Sequence, residues 1–318
     1  MTYQIRFIIA SITLLTLLIT ASAQTGKQRP AARREVAVTF DDLPAPPGGV
    51  PSDDVETLRE LTAKLLQSFT ANSVPVVGFV NEGKIDGRTD AEARTQVLKM
   101  WLDAGFELGN HTFSHLSLYR TTLAEFEQDV IHGEKILKLL LQEKGLSLRY
   151  FRHPFLVVGP NLKARREFEK FLAERGYRIA PVTVDGDDYM FAAIYARAKA
   201  RGDKKSMQEV AEAYLKHMNE CFEFSEKASV ELNGYEIKQV LLLHANALNA
   251  DYFDDLAKIM TGRGYKFITL EQALQDKAYQ QSDEYAGRFG WTWLHHWAAT
   301  RHLKLRNEPP VPAFVLKQ

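Results

Sequence analysis

The sequence predicts an α/β domain with a mainly parallel sheet, built as a barrel or as a doubly wound sheet. Apolar runs of strand length alternate along the chain with longer segments whose apolar residues recur at helical spacing. Segments rich in Gly and Pro separate several of these elements, as expected for turns. The sequence shows no short-period repeat of the solenoid type.

The first half of the domain is predicted to begin with a strand at Val36–Phe40, which ends on two aspartates. Ser52 or Asp53 is the predicted N-cap of a helix that runs to about Thr70 with leucines on one face. A buried strand at 74–80 and a helix at 90–103 are predicted next. They are followed by a strand and turn at 106–112 and a long amphipathic helix at 122–144, closed by Gly145.

The second half continues the alternation. A helix is predicted with Asn161 near its N-cap and Gly176 past its end. Residues 191–236 have helical periodicity throughout and are predicted to form a helical insertion on the domain. The remaining predicted elements are strands within 149–156, 177–189 and 239–246, a helix at 250–264, and a strand leading into a last helix at 265–274.

Residues 1–23 are predicted to be a signal peptide. Arg6 precedes the apolar run Phe7–Thr20, and Ala21–Ala23 has the small-residue pattern of a cleavage site. The run is shorter than the roughly 20 residues that a membrane span needs, although an uncleaved anchor is the alternative. We therefore expect an exported protein, periplasmic or secreted, with a linker at 24–34 and no stable membrane insertion after cleavage.

Composition excludes some classes of protein. Lys and Arg number 40, as do Asp and Glu, so no net charge attracts nucleic acid or an anionic membrane. Cys221 is the only cysteine, which excludes an internal disulfide and predicts a small buried apolar residue. Nothing in the sequence determines the oligomeric state.

His111 and His115 raise the question of a metal site. Four residues apart, they would share one face of a helix, but such a pair can equally be two surface residues. Titratable side chains also lie at the C-terminal ends of the other predicted strands: Asp41, Asp42, Arg152, Asp185, Asp187, Asp188 and His244. In α/β barrels the active site is built at the C-terminal ends of the strands. A carboxylate with two imidazoles at that edge can hold a catalytic divalent ion.

Each of these residues has an alternative interpretation. The Asp41–Asp42 pair could cap a turn, Arg152 could be a structural ion-pair partner, and His244 could be a satisfied core histidine. In the C-terminal region, 279–318, Phe289, Trp293 and Trp297 recur every four residues. We expect them to pack a helix onto the domain before an extended proline-rich tail, with a sugar-stacking platform as the alternative.

Five short motifs resemble those of the polysaccharide deacetylases, carbohydrate esterase family four. They occur in the family's order: TFDD (39–42), HTFSH (111–115), RHPF (152–155), DGDDY (185–189) and LLLHAN (241–246). The resemblance extends from about Val36 to Leu274, and the predicted catalytic domain is 35–278. It implies a distorted (β/α) barrel, here with the helical insertion, and metal-dependent removal of acetyl groups from sugars.

The resemblance also implies a metal site and a base. It makes Asp41 the general base and Asp42, His111 and His115 the metal ligands. Arg152 would orient the base and keep it ionised. Zn²⁺ is the first choice for the metal, with Co²⁺, Ni²⁺ or Mn²⁺ as alternatives. The nucleophile would be a water molecule activated by the metal.

The remaining roles carry over in the same way. His244 corresponds to the general acid, and Asp188, before the aromatic Tyr189, to the carboxylate that tunes it, with Asp185 as the fallback. The backbone N–H of Phe155 corresponds to the donor to the oxyanion, and Tyr189 belongs to the substrate site. The family usually has Tyr where this chain has Phe155, and Trp where it has Tyr189.

The sequence thus predicts a hydrolase that removes N-acetyl groups from a peptidoglycan- or chitin-like carbohydrate. An O-acetyl esterase of the xylan type is one alternative, and a non-catalytic carbohydrate-binding protein with the same fold is another. Leu43 also replaces the Gly that usually follows the aspartate pair. Together with the aromatic replacements, this predicts a divergent branch with a reshaped groove.

Overall fold

A computed structural model of the protein describes residues 34–317, so the predicted signal peptide and nearly all of the predicted linker lie outside the described residues. The strands within this range are Arg34–Leu43 (β1), Val76–Val80 (β2), Glu107–Asn110 (β3), Tyr150–Phe151 (β4), Arg178–Ile179 (β5), Gln239–His244 (β6) and Tyr265–Phe267 (β7). The α-helices are Val55–Ala71 (α1), Ala91–Asp103 (α2), Leu123–His132 (α3), Lys135–Glu143 (α4), Leu162–Glu174 (α5), Asp188–Ala200 (α6), Lys204–Asn233 (α7), Ala247–Gly262 (α8), Leu270–Ala273 (α9), Trp293–Thr300 (α10) and Ala313–Leu316 (α11).

The strands form one parallel sheet that curls into a barrel. Their order is β5-β4-β3-β2-β1-β6, and β7 pairs with the start of β1. The segment after β5 meets the free edge of β6, where the Leu242 N–H donates to the Val184 carbonyl at 3.0 Å. Strands β4 and β5 have only two residues each, whereas β1 has ten, so the barrel wall is much shorter on the β4–β5 side. The predicted distorted (β/α) barrel is thereby confirmed.

Alternation along β1 decides what faces the barrel interior. Val36, Val38 and Phe40 pack in the large core cluster that includes residues of α1, α2 and α8. The intervening Ala37 belongs instead to a second cluster of residues from β2, β4 and β6. Because strand side chains alternate between faces, Asp41 falls on the same face as Ala37 and points into the barrel.

Several predicted helix bounds differ from the structure; α8, for example, begins at Ala247 and not at 250. The N-cap of α1 is Asp54, whose carboxylate accepts a hydrogen bond from Thr57 N–H at 2.9 Å, and not Ser52 or Asp53. The helix predicted at 122–144 is two helices, α3 and α4, separated at Gly133. A β-carbon at Gly133 would lie 2.8 Å from the backbone of Thr112, so the glycine lets the loop after β3 pack closely.

The predicted insertion consists of α6 and α7, which pack on each other and on α8. Helix α7 buries Tyr214, Met218 and Phe222 in the main core cluster, so the insertion is an integral part of the core. Cys221 is buried and free, as predicted.

The C-terminal helix is shorter than its aromatic spacing suggested. Trp293 and Trp297 are buried on α10, as predicted. Phe289 precedes the helix and is 48% exposed, so its assignment to that packing surface is wrong. Among the residues that the structure describes, no helix is both long and apolar enough to cross a membrane.

Phe69 on α1 is expected to be a major source of stability. Its ring is fully buried and contacts the rings of Phe40, Phe253 and Trp101 at centroid distances of 4.9, 4.8 and 5.7 Å. Phe69→Ala should lower the free energy of unfolding by about 3–5 kcal/mol in urea titrations, since a cavity would remain. Leu139→Ala, at a side chain that is 60% exposed, should change it by less than about 0.5 kcal/mol. Equal effects would contradict this prediction.

Candidate active site

The candidate site is a cavity of ≈ 1010 Å³ at the carboxyl ends of the strands. Seven of the predicted site residues line it: Asp41, Asp42, His111, His115, Phe155, Tyr189 and His244. The other two, Arg152 and Asp188, lie behind this wall and are buried. The structure therefore brings all the predicted site residues to one place.

Asp41 and Arg152 form a buried pair. An Arg152 guanidinium nitrogen lies 3.4 and 3.3 Å from the two carboxylate oxygens of Asp41. The guanidinium is held by further donations to the Ala180 carbonyl and the Thr39 hydroxyl, both at 2.8 Å. Burial raises the pKa of Asp41 to about 6, and Arg152 opposes this rise. The pair places an ionisable carboxylate inside the barrel with a fixed orientation.

Asp42 turns toward the same cavity because its backbone leaves the strand conformation. Its φ is +69°, and the pairing of β1 with β2 is irregular between Phe40 and Leu43. The Lys84 ammonium lies 3.1 Å from Asp42 Oδ1, but that oxygen is buried and accepts no hydrogen bond from the described residues. Burial acts to raise the pKa of Asp42, but Lys84 and the nearby histidines hold it well below its usual range.

The two histidines present nitrogen atoms to Asp42. His111 Nδ1 lies 2.8 Å from the Arg152 carbonyl, which fixes Nδ1 as the donor and leaves the Nε2 lone pair free. His115 Nε2 lies 3.5 Å from Asp42 Oδ1. Burial lowers the pKa of both imidazoles, which favours their neutral, ligating form. One ligand atom from each of these three residues lies within 4.8 Å of the others.

These three side chains fit a divalent cation. A buried, ionised carboxylate and two neutral imidazoles form a ligand set suited to such an ion. The geometry does not come from a helix, which was one interpretation of the His-x-x-x-His spacing. His111 and His115 lie on a loop, and Thr112 and His115 have φ values of +66° and +55°.

Polar contacts hold this loop in place. Asn110 Oδ1 accepts from Thr112 N–H at 2.7 Å, and Thr112 Oγ1 accepts from His115 N–H at 3.0 Å. The Asp129 carboxylate on α3 accepts from Ser114 N–H at 3.0 Å. The histidines are therefore positioned by residues that the sequence analysis did not single out.

His244 ends β6 directly opposite Asp41 on β1. Its Nδ1 lies 2.6 Å from Asp188 Oδ1, and the other Asp188 oxygen accepts from the side-chain amides of Asn246 and Asn249 at 2.8 and 2.6 Å. Burial would lower the pKa of His244, but Asp188 and Asp42 raise it to about 10. His244 Nε2 faces the site, 4.0 Å from Asp42 Oδ2.

Asp188, and not the fallback Asp185, is the carboxylate that contacts His244. Asp188 is the first residue of α6, so it is buried behind the imidazole. Asp185 instead accepts a hydrogen bond from Asp187 N–H at 3.1 Å. Burial and the neighbouring Asp187 raise the pKa of Asp185 to about 7.

Two aromatic side chains form the rim of the cavity. Phe155 is 58% exposed, has a φ of +56°, and its ring lies edge-on to His115 at 4.3 Å. Tyr189 is 50% exposed, and its ring lies edge-on to His244 at 5.9 Å. The rim therefore presents apolar ring surface on both sides of the polar centre.

Sequence analysis missed several residues of the cavity. Asn81 and Lys84 follow β2 at the same edge, and their position after a predicted strand was a usable signal. Gly290 and Val315 also line the cavity, although both lie in the C-terminal region. For these two residues no sequence signal was available, because the region carries no strand–helix unit.

Comparison with known proteins agrees with this geometry. Residues 28–178 match the profile of the polysaccharide deacetylase family. A peptidoglycan-N-acetylglucosamine deacetylase from Bacillus cereus is 27% identical over 160 residues, which are 50% of this chain and 48% of that protein. The chain thus matches about half the length of this curated relative.

Solved structures support the fold. A polysaccharide deacetylase from Bacillus cereus superposes with a TM-score of 0.51 at 16% identity, covering 74% of this chain and 92% of that one. A carbohydrate esterase family 4 pseudoenzyme from Bacillus anthracis superposes with a TM-score of 0.50 at 15% identity, covering 77% of this chain and 66% of that one. Together with the five motifs in order, the profile match shows that the chain carries a polysaccharide deacetylase domain, and the solved structures show that its fold is shared.

Proposed function

We propose that this protein is an active, metal-dependent deacetylase that removes N-acetyl groups from a peptidoglycan- or chitin-like carbohydrate. The observation that carries the proposal is the convergence of three units in one cavity. These are the Asp42–His111–His115 cluster, the Asp41–Arg152 pair and the His244–Asp188 pair. Some members of the fold are pseudoenzymes, but every group that the proposed reaction needs is present here.

Asp42, His111 and His115 would hold the metal, for which Zn²⁺ is the first choice. When bound, a divalent cation supplies Lewis acidity, which lowers the pKa of water and polarises a carbonyl. The Lys84 ammonium adds positive charge beside Asp42 Oδ1, the oxygen that also faces His115.

Asp41 accepts the proton of the attacking water in the proposed mechanism. Its carboxylate faces the cavity, and Arg152 behind it orients the oxygens and favours the ionised form. The backbone N–H of Phe155 is the proposed donor to the developing oxyanion. The exposed rings of Phe155 and Tyr189 would contact the apolar faces of the sugar.

His244 donates a proton to the departing amine in this scheme. Its Nδ1–H is held by Asp188, so Nε2 is the nitrogen that faces the cavity and transfers the proton. An amine is a poor leaving group unless protonated, and the raised pKa of His244 keeps that proton available. The resemblance to a peptidoglycan-N-acetylglucosamine deacetylase favours the N-acetyl substrate. We include export through the predicted signal at 1–23 in the proposal.

The test is acetate release by the metal-loaded protein from N-acetylchitooligosaccharides, peptidoglycan and acetylated xylan. We expect release from the N-acetylated substrates. Release from xylan alone would identify an O-acetyl esterase, and binding without release from any of the three would identify a carbohydrate-binding protein. Elemental analysis of the same preparation would identify the metal.

Asp188→Asn is expected to lower kcat by about 10- to 1,000-fold, because the amide no longer stabilises the protonated His244. The amide would also place an N–H₂ group among the donors of Asn246 and Asn249. Asp185→Asn is the matched comparison and should have a smaller effect, since Asp185 does not contact His244. An equal or larger loss in Asp185→Asn, measured as kcat for acetate release, would reverse the assignment of these two carboxylates.

A further inference from the structure

A segment of the C-terminal region, Asp283–Trp293, crosses the mouth of the barrel beside the candidate site. Gly287 N–H donates to the Gly159 carbonyl at 2.8 Å, and Trp293 N–H donates to the Val182 carbonyl at 2.8 Å. The segment therefore bridges two loops that follow different barrel strands. Gly290, between these two anchor points, lines the cavity.

Gly290 makes a backbone contact that only glycine permits. A β-carbon at this position would overlap the Phe155 carbonyl oxygen and lie 2.8 Å from the Phe155 carbonyl carbon. Phe155 has a φ of +56°, an uncommon conformation for a residue that is not glycine. Its ring also lies against His115. The peptide that Gly290 contacts is thus the strained turn at the edge of the proposed metal site.

The segment is firmly anchored on α5. The buried Arg165 guanidinium donates to both Asp283 carboxylate oxygens at 2.8 and 2.9 Å and to the Tyr285 carbonyl at 2.6 Å. His296 Nδ1 on α10 lies 3.1 Å from the same carboxylate. Stacking of Tyr285 on Trp291, with centroids 4.8 Å apart, stiffens the stretch that carries Gly290.

We propose that the segment Asp283–Trp293 is a wall of the active site and that Gly290 is a positioning residue for the reaction. Its close approach holds the Phe155 turn in the conformation from which the backbone N–H acts and the ring supports His115. This inference rests on the proposed function for the role of Phe155. It assigns a catalytic purpose to a region outside the five motifs.

The test is Gly290→Ala, with Gly262→Ala on α8 as the matched control. Because the new methyl group must displace the Phe155 carbonyl, we expect kcat to fall by about 100-fold, as a misplacement of roughly 1 Å can do. The loss should persist when the protein is saturated with Zn²⁺, since Asp42, His111 and His115 are all retained. A β-carbon at Gly262 would meet no atom within 4 Å, so Gly262→Ala should match the unmodified protein.

Hydrogen–deuterium exchange gives a second readout that does not depend on activity. In Gly290→Ala, exchange should accelerate in the peptide that spans 150–160 and stay unchanged in α8. Asp283→Asn weakens the anchor but keeps Gly290. Like Gly290→Ala, it should lower kcat and accelerate exchange at 150–160, and it replaces that variant if Gly290→Ala does not fold. Unchanged kcat and exchange in a folded variant would overturn the inference. If the unmodified protein releases no acetate, the proposed function fails, and exchange alone still tests the contact.

Discussion

Asp41→Asn is expected to lower kcat for acetate release by about two to four orders of magnitude while leaving the metal content unchanged. The substitution keeps the size of the side chain and its place on β1 but removes the carboxylate that we propose takes the proton from water. Asp41 is not a member of the three-residue ligand cluster, so the metal should still bind. Kinetics on N-acetylchitooligosaccharides and elemental analysis of the purified variant measure the two effects separately.

Stability needs a control in this experiment. Removing the charge of Asp41 leaves the buried Arg152 guanidinium without its counterion, which can cost about 3–5 kcal/mol. Its donations to Ala180 and Thr39 remain, so a folded variant is expected. Urea titration checks that the variant is folded. Asp255→Asn on the exposed face of α8 is the control for replacing an aspartate by asparagine. A folded Asp41→Asn variant with full turnover would rule out Asp41 as the base.

The polar centre was predictable because parallel strands bring their carboxyl ends to one edge. Asp41 and His244 end neighbouring strands and are direct register partners, so their proximity follows once β1 and β6 are identified. The buried contact between Arg152 and Asp41 follows in the same way from the end of β4. Periodicity was sufficient to locate these strands, and the family resemblance supplied the expected roles.

The parts that could not be predicted depend on backbone conformations without periodicity. Asp42 faces the ligand cluster because its φ is +69°, and nothing in the motif TFDD indicates that rotation. Gly133, between α3 and α4, lies against the backbone of the loop after β3, and helical periodicity does not reveal that contact. Gly290 is a similar case, since its partner, the Phe155 carbonyl, is distant in sequence. Such close approaches become visible only in three dimensions.

His115→Asn is expected to weaken metal binding by more than about 100-fold. Loss of a group that only orients a metal ligand typically costs roughly 10- to 100-fold, and His115 is a proposed ligand itself. His115 supplies one of the three ligand atoms, and asparagine removes that nitrogen without leaving a buried charge. Asparagine also tolerates the positive φ of +55° at this position, so the loop should keep its conformation. Isothermal titration of the chelator-treated protein with Zn²⁺ measures the change in affinity.

His302→Asn is a close control, because His302 is exposed, lies far along the chain from the motifs, and has a φ of +56°. It should bind Zn²⁺ as tightly as the unmodified protein. Activity should follow occupancy of the metal site, so high concentrations of Zn²⁺ should partly restore turnover in His115→Asn. They should not restore it in Asp41→Asn, which is expected to keep the metal but lacks the proposed base. If His115→Asn binds Zn²⁺ with unchanged affinity, the three-residue cluster is not the metal site, and the mechanism built around it is wrong.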